Sequence, residues 1–264
     1  MRDVQSEHDD RRLPIDKVGL RGVKVPITVV RRGGELEATI AELDVAVDLP
    51  HRFRGTHMSR LFEEVSRYRQ RLWFDNIGDL LASLRERLET AEAFIRVAFP
   101  FYIDKEAPVT KAVGPVYYQC ALGGQINEDG TDVRLEVNVP VTTLCPCSRA
   151  LSQKGAHNQR GVIKTVLRFT KPIWIEDIVE LVESCASCGI YAVLKRPDEK
   201  YVTERAYSRP RFVEDVVREV ASKLMEDDNI VWFAVEAVSQ ESIHDHDAYA
   251  FIKRDKRKNS EPLG

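Results

Sequence analysis

Ala93-Phe94-Ile95-Arg96-Val97-Ala98-Phe99-Pro100-Phe101 sets an apolar side chain at every second position from Ala93 to Phe101, the pattern of a strand with one buried face. It decides the fold because of what stands on either side. Before it, Met58, Leu61, Phe62, Val65, Tyr68 and Leu72 recur at three and four residues. Ile77, Leu80, Leu81, Leu84 and Leu88 repeat that spacing after a short break, so two amphipathic helices precede the strand. Further upstream, Val18 to Val30 and Leu36 to Leu49 are rich in β-branched and alternating apolar residues. Arg31-Arg32-Gly33-Gly34 separates them as a hairpin turn. Downstream, Tyr118, Cys120 and Leu122 alternate again. The first half therefore predicts the order β-β-α-α-β-β.

The second half repeats it. After the turn-forming Asn127-Glu128-Asp129-Gly130, Val133 to Val141 reads as a strand, with Val162 to Phe169 as its partner. Ile175, Ile178, Val179, Val182 and Cys185 make one helical stripe, ended by Gly189, and Val213, Val216, Val217, Val220 and Leu224 make another. A short apolar strand is expected over Ile190 to Leu194, and two strands, Ile230 to Val238 and His246 to Ile252, close the chain. The expectation is an α+β fold of antiparallel sheets with helices on one face, divided into a leader over 1–16, modules over 17–128 and 129–254, and a tail over 255–264. Such a sheet leaves its other face and its edges to be covered, which predicts oligomerisation. Residues 1–16 carry little to bury and read as a mobile leader, and the basic run Lys253 to Lys258 reads as a solvated tail.

Composition excludes several classes of partner. With 39 basic and 42 acidic residues the net charge is −3, so no overall field draws nucleic acid or a membrane surface. No run approaches the ~20 apolar residues of a membrane helix, and Met1 to Arg12 lacks the apolar segment of a secretory signal. Five cysteines, an odd number in a chain of 264 residues, suggest reduced thiols and a cytoplasmic location.

Chemistry concentrates in Thr142-Thr143-Leu144-Cys145-Pro146-Cys147-Ser148 and Gly155-Ala156-His157-Asn158-Gln159-Arg160. Thiolate and imidazole are donors that a borderline-soft metal prefers, and Pro146 implies a loop at the end of a strand. A pair of buried thiols is the blander reading of Cys145 and Cys147. A four-thiolate zinc site with Cys185 and Cys188 is disfavoured, because those two continue an apolar helical stripe. His157 could supply a second ligand of an open site. A third could come from Asp198 or Glu199 in Pro197-Asp198-Glu199-Lys200, otherwise a solvated turn, or from His244 and His246, and spacing does not choose. Glu214 reads first as an acid complementing a helix dipole. Leu49 to Arg60, which contains His57 and Arg60, clusters arginines, histidines and hydroxyls at a strand-to-helix junction as an anion cradle or an ordinary polar cap.

Taken together, Leu49 to Arg60, Thr142 to Arg160, Arg196 to Lys200, Pro210 to Asp215 and His244 to His246 resemble the GTP cyclohydrolases of type IB. The resemblance runs from about Lys17 to Ile252. It implies a tunnelling fold of two tandem β-β-α-α-β-β modules and a homotetramer with active sites at subunit interfaces. It also implies hydrolysis of GTP at guanine C8 to 7,8-dihydroneopterin triphosphate and formate, the first step of tetrahydrofolate biosynthesis. The ligands of one divalent metal per site, zinc, manganese or iron(II), are implied at Cys145, His157 and Glu199, and the purine anchor at Glu214. His244 and His246 are expected in proton transfer, with Cys147 beside the metal as a further catalytic residue. Lys154, Arg160, His57 and Arg60 are expected on the triphosphate. Rival expectations are a nitrile reductase of the same fold, using a nucleophilic cysteine and nicotinamide, and a non-catalytic zinc-stabilised module that binds a purine.

Overall fold

The computed structural model describes residues 5, 7, 10–69 and 72–257. Among these, nine strands form an antiparallel sheet in the order β1-β2-β3-β4-β5-β6-β8-β9, with β7 paired to β5 outside that path, and six helices accompany them. The chain divides into two compact units, residues 1–100 with 121–135, and residues 101–120 with 136–264.

In the first unit, β1 (Ile15–Val30) and β2 (Leu36–Leu49) form the expected hairpin, in a register that sets Val25 opposite Ala41 and Val29 opposite Glu37. Their inward set, Val25, Ile27, Val29, Ala41, Leu43, Val45 and Val47, is buried. Helices α1 (Met58–Tyr68) and α2 (Phe74–Leu88) bury Leu61 and Val65, and Ile77, Leu80, Leu81 and Leu84. Each large apolar side chain so removed from water contributes about 1.5–3 kcal/mol before entropy is counted. Between the helices lies Glu64, fully buried, which accepts from Ser83 Oγ at 2.6 Å and pairs with Arg67 at 2.9 Å and with Arg87. A carboxylate can be buried there because every side of it meets a donor. Strand β3 (Ala93–Glu106) follows, its Ala93, Ile95, Val97, Phe99 and Phe101 all buried. Near the amino terminus, Arg54 and Gly55 donate backbone N–H groups to the carbonyls of Glu7 (2.9 Å) and Gln5 (3.1 Å). The remainder of the expected leader, residues 1–4, 6, 8 and 9, lies outside the described residues, as do 258–264 of the expected tail.

The second unit takes the distal part of β3 and the start of β4 (Val113–Asn127), then β5 (Gly130–Leu144) from Glu136 onward. It continues through α3 (Pro146–Leu151), β6 (Asn158–Phe169), α4 (Ile175–Cys185), β7 (Cys188–Gly189), α5 (Arg196–Ser208), α6 (Val213–Glu226), β8 (Ile230–Ser239) and β9 (Ala248–Asp255). Strand β8 runs antiparallel between β6 and β9, with Ile163 opposite Ala237 and Val235 opposite Ile252. Cys185 and Cys188 are buried, as the helical stripe implied.

Three expectations are corrected. Ile190 to Leu194 is not a strand: β7 is only two residues long, and the Ile190 carbonyl accepts from Lys105 Nζ at 2.8 Å in place of a ladder partner. The turn expected at Pro197 to Lys200 is instead the start of helix α5 (Arg196–Ser208). Its apolar face is too narrow to show a period, since Ala206 is its only buried apolar residue. The basic run is not a solvated tail as far as Lys256. Residues 253–255 belong to β9, and Lys256 Nζ donates to the carbonyls of Met225 (2.9 Å) and Asp227 (2.8 Å) at the end of α6.

Candidate active site

The site is assembled where β5 and β8 end and β6 and α6 begin. Thr143 on β5 and Ser239 on β8 share a buried hydroxyl contact of 3.0 Å, which ties those two strand ends together. Immediately beyond Thr143 the chain leaves the strand at Cys145. Pro146 occupies the first turn of α3, where its missing N–H costs nothing, and Ser148 N–H donates to Cys145 Sγ at 3.4 Å, making the sulfur the helix cap. This corrects the loop expected after Pro146. His157 is drawn to the same place by its backbone: Cys145 N–H donates to the His157 carbonyl (3.1 Å), and His157 N–H donates to Ser148 Oγ (3.0 Å).

The His157 ring is oriented too. Nδ1 lies 2.9 Å from Gln159 Oε1, and in the tautomer that donates this hydrogen bond Nε2 keeps its lone pair for a ligand. Glu241 Oε2 stands 3.9 Å from the same Nδ1, and both side chains are mostly buried, at 15% and 12% exposed.

A cavity of about 330 Å³ opens over these groups, and Cys145, His157, Glu214, His244 and His246 all line it. His244 and His246 stack with ring centroids 5.1 Å apart, and Asp245 Oδ1 lies 3.2 Å from His246 Nδ1. Glu214 is exposed in the first turn of α6, but its neighbour Asp215 is the residue that caps the helix, accepting Phe212 N–H at 3.0 Å. Glu214 is thereby spared that duty. Glu241 and Arg211 also line the cavity, and sequence reading gave neither a role. Arg211 N–H donates to the Leu144 carbonyl at 3.0 Å, next to Cys145, while its Nε is buried with no hydrogen-bond partner. The usable signal for Glu241 was a carboxylate three residues before His244, in a segment with no apolar period.

Other expected residues lie elsewhere. Cys147 is exposed on α3, and Lys154 and Arg160 are exposed outside the cavity lining. His57 and Arg60 line a cavity of about 120 Å³ in the first unit, together with Arg87 and Thr56. Glu199 is exposed on α5 and does not line the cavity, and among the described residues no three His, Cys, Asp or Glu side chains converge as a closed cage.

The donor chemistry nevertheless suits a divalent cation. A thiol and an imidazole with its Nε2 available sit on one backbone-tied loop, and α5 packs beside it. Leu144, Cys188 and Ala206 form one cluster, with Ala156, Tyr191 and Val202 against it. Leu144 and Ala156 immediately precede Cys145 and His157. At 3.6 residues per turn, Glu199 lies within about 60° of Val202 and about 20° of Ala206, so it shares the helix face that meets this loop. Arg149 over the Tyr207 ring, at 4.9 Å, joins α3 to α5 a second time.

Comparison with known proteins accords with this chemistry. The family described as Type I GTP cyclohydrolase folE2 matches residues 1–250. A protein of Geobacter metallireducens named GTP cyclohydrolase FolE2 is 47% identical over 257 residues, covering 97% of this chain and 98% of the relative. One of Pelobacter propionicus with the same name is also 47% identical, covering 97% and 100%. Among solved structures, the uricase of Arthrobacter globiformis aligns over 94% of this chain and 96% of its own, with a TM-score of 0.52 at 6% identity. A uricase from Bacillus fastidious covers 91% and 93%, with a TM-score of 0.54 at 6% identity. These likenesses concern the fold alone. With a match spanning nearly all its residues and relatives close to half identical, the chain belongs to the type I GTP cyclohydrolase folE2 family.

Proposed function

We propose that this chain is a GTP cyclohydrolase of folate biosynthesis, taking GTP and water to 7,8-dihydroneopterin triphosphate and formate. The observation that carries the reading is the convergence of Cys145, His157, Glu214, His244 and His246 on one cavity in a chain of this family. Cys145, His157 and Glu199 hold one divalent cation, zinc, manganese or iron(II). Bound there, such an ion supplies Lewis-acid activation of the water that attacks guanine C8.

The chain's own residues do the rest. Glu214, acceptor-only when ionised, receives the guanine ring N–H and the exocyclic amino group and so fixes the base. Gln159 holds His157 in the tautomer that leaves Nε2 unprotonated. His244 and His246, imidazoles that line the cavity, pass a proton to the ring nitrogen released as the imidazole opens. Cys147, two residues beyond Cys145 and exposed on α3, takes no ligand role in this reading. Lys154, Arg160, His57 and Arg60 neutralise the triphosphate.

The finer architecture follows the same reading. Modules over 17–128 and 129–254 make a tunnelling fold, and four copies bring His57 and Arg60 of one chain towards the metal site of another. Uricase-like structural neighbours support that fold, and five cysteines without a disulfide among them support a cytoplasmic location. No helix is long and apolar enough to cross a membrane among the described residues.

Full-length protein incubated with GTP should release formate, lose that activity to a chelator, and regain it with one of the three metals. Mass spectrometry of the product separates this from nitrile reduction and from mere purine binding. GTP bound without formate release under every metal tested would refute the proposal.

A further inference from the structure

The tip of the β3–β4 hairpin grips the segment that carries Glu199 at three points. Asp198, adjacent to Glu199 and fully buried, accepts four hydrogen bonds: from the N–H groups of Val109 (2.8 Å) and Thr110 (2.9 Å), from Thr110 Oγ1 (2.6 Å) and from Lys195 N–H (3.0 Å). That satisfies the acceptor capacity of a carboxylate. The turn that offers those donors is itself closed, with Ala107 N–H on the Ala112 carbonyl (2.8 Å) and Lys111, at φ 60°, donating its N–H to the Ala107 carbonyl (3.2 Å).

Lys105 makes the second point. Its Nζ sits 2.5 Å from Glu183 Oε2, 2.8 Å from the Ile190 carbonyl and 4.1 Å from the centre of the Tyr191 ring, while Tyr118 OH donates to the other Glu183 oxygen at 3.1 Å. Gly189 lies against this pair: a Cβ there would come 2.7 Å from Lys105 Nζ and 2.9 Å from Glu183 Oε2, so a larger residue would displace those side-chain ends. The third point is Gly114 on β4, where a Cβ would come within 2.7 Å of Val193 Cγ2.

A buried carboxylate with four donors is far more than a helix cap needs, since one or two bonds suffice for that role. Nor does the hairpin touch only the helix end: it also holds residues of 190–195, the stretch between β7 and α5 with no strand or helix of its own. We propose that the β3–β4 hairpin is the positioning element of the metal site, with Asp198 and Thr110 as positioning residues that set the first turn of α5 so that Glu199 faces the Cys145–His157 loop. This rests on the assignment of Glu199 as a ligand.

The test uses full-length protein, Co(II) as probe ion, chelator competition for affinity and the visible Co(II) spectrum for coordination. Thr110→Val, which keeps the backbone N–H, and Asp198→Asn should each weaken Co(II) about 10- to 100-fold, the usual effect of removing a group that orients a ligand. Both should alter the spectrum, and Thr110→Ser should restore both readouts. Ile230→Ala, a core truncation at the far end of β8, supplies a comparable loss of stability and should leave affinity and spectrum unchanged. Should Asp198→Asn fail to fold, Thr110→Val and Thr110→Ser decide alone.

Co(II) affinity within twofold of wild type in Thr110→Val, alongside loss of Co(II) in Glu199→Gln, overturns the positioning role and spares the ligand assignment. Retention of Co(II) by Glu199→Gln overturns the ligand assignment, and the positioning role falls with it. An equal loss in Ile230→Ala also overturns it, by reducing the effect to stability.

Discussion

Glu214 and Asp215 are neighbours in the first turn of α6, and the structure divides their labour in a way that can be measured. Asp215 accepts Phe212 N–H at 3.0 Å and caps the helix, while Glu214 faces the cavity. Glu214→Gln preserves size and shape but replaces one acceptor oxygen with an amino donor. If guanine presents its two donors to that carboxylate as proposed, one charge-assisted hydrogen bond is lost and the other becomes neutral. At about 1.5–3 kcal/mol for a charged bond and 0.5–1.5 for a neutral one, the loss is roughly 2–4 kcal/mol. That lowers kcat/KM for GTP by about 30-fold to several hundred-fold. Stability should barely move, because a first-turn acid is worth about 0.3–1 kcal/mol to the helix dipole. Asp215→Ala should behave oppositely, losing about 1 kcal/mol of stability with little change in KM. The assay is formate release against GTP concentration, paired with thermal unfolding of each variant. A Glu214→Gln enzyme whose KM and kcat both stay within threefold of wild type would refute the anchor, and a larger kinetic defect in Asp215→Ala would show the division of labour to be wrong.

Other outcomes follow from the same geometry. Gln159→Ala removes the acceptor that fixes the His157 tautomer, so metal affinity should fall, by less than tenfold because Glu241 stands 3.9 Å from the same nitrogen; Gln159→Ala with Glu241→Gln should fall further in chelator titration. Lys256→Met should lower the thermal midpoint by the equivalent of about 1–2 kcal/mol, through loss of the ammonium from the carbonyls ending α6, and an unchanged midpoint would return that lysine to the solvent. Burial alone would raise the Asp198 carboxyl, but its hydrogen bonds from Thr110, Lys195 and Val109 outweigh that and hold it below the usual carboxylate range. Its stabilisation is therefore complete above about pH 4, the unfolded value, and is lost as pH falls through the lower folded value. Acid titration followed by circular dichroism should fall more steeply in wild type than in Asp198→Asn, and equal slopes would contradict the argument.

Much of the fold was legible because its elements announce themselves by period. The alternation from Ala93 to Phe101 and the helical spacing from Leu61 to Leu84 survive as buried faces, since a sheet covered by two helices demands both patterns. Helix α5 did not, because Ala206 is its one buried apolar residue. Its start is specified instead by Asp198, whose partners Val109 and Thr110 lie 89 and 88 residues away in sequence. No local window contains that information. The same holds in the site. Cys145 and His157 sit within one loop and could be paired by eye, and Glu214 and the His244 to His246 run join them in the cavity. Glu241 and Arg211 were missed because neither a carboxylate nor a guanidinium has a period, and only folding shows which water-exposed charges face inward.

The hairpin of residues 101–120 belongs by packing to the unit built mostly from the second half of the chain. A crossover at the 127–130 turn, where the sequence pattern divides into two repeats, would therefore separate Lys105 and Thr110 from Glu183, Ile190 and Asp198. Exchanges between relatives at that joint should succeed only when both parents carry matching residues on either side of it. The stretch of chain that must be exchanged together is thus longer than the apparent repeat, because residues 101–120 pack in the same unit as 136–264.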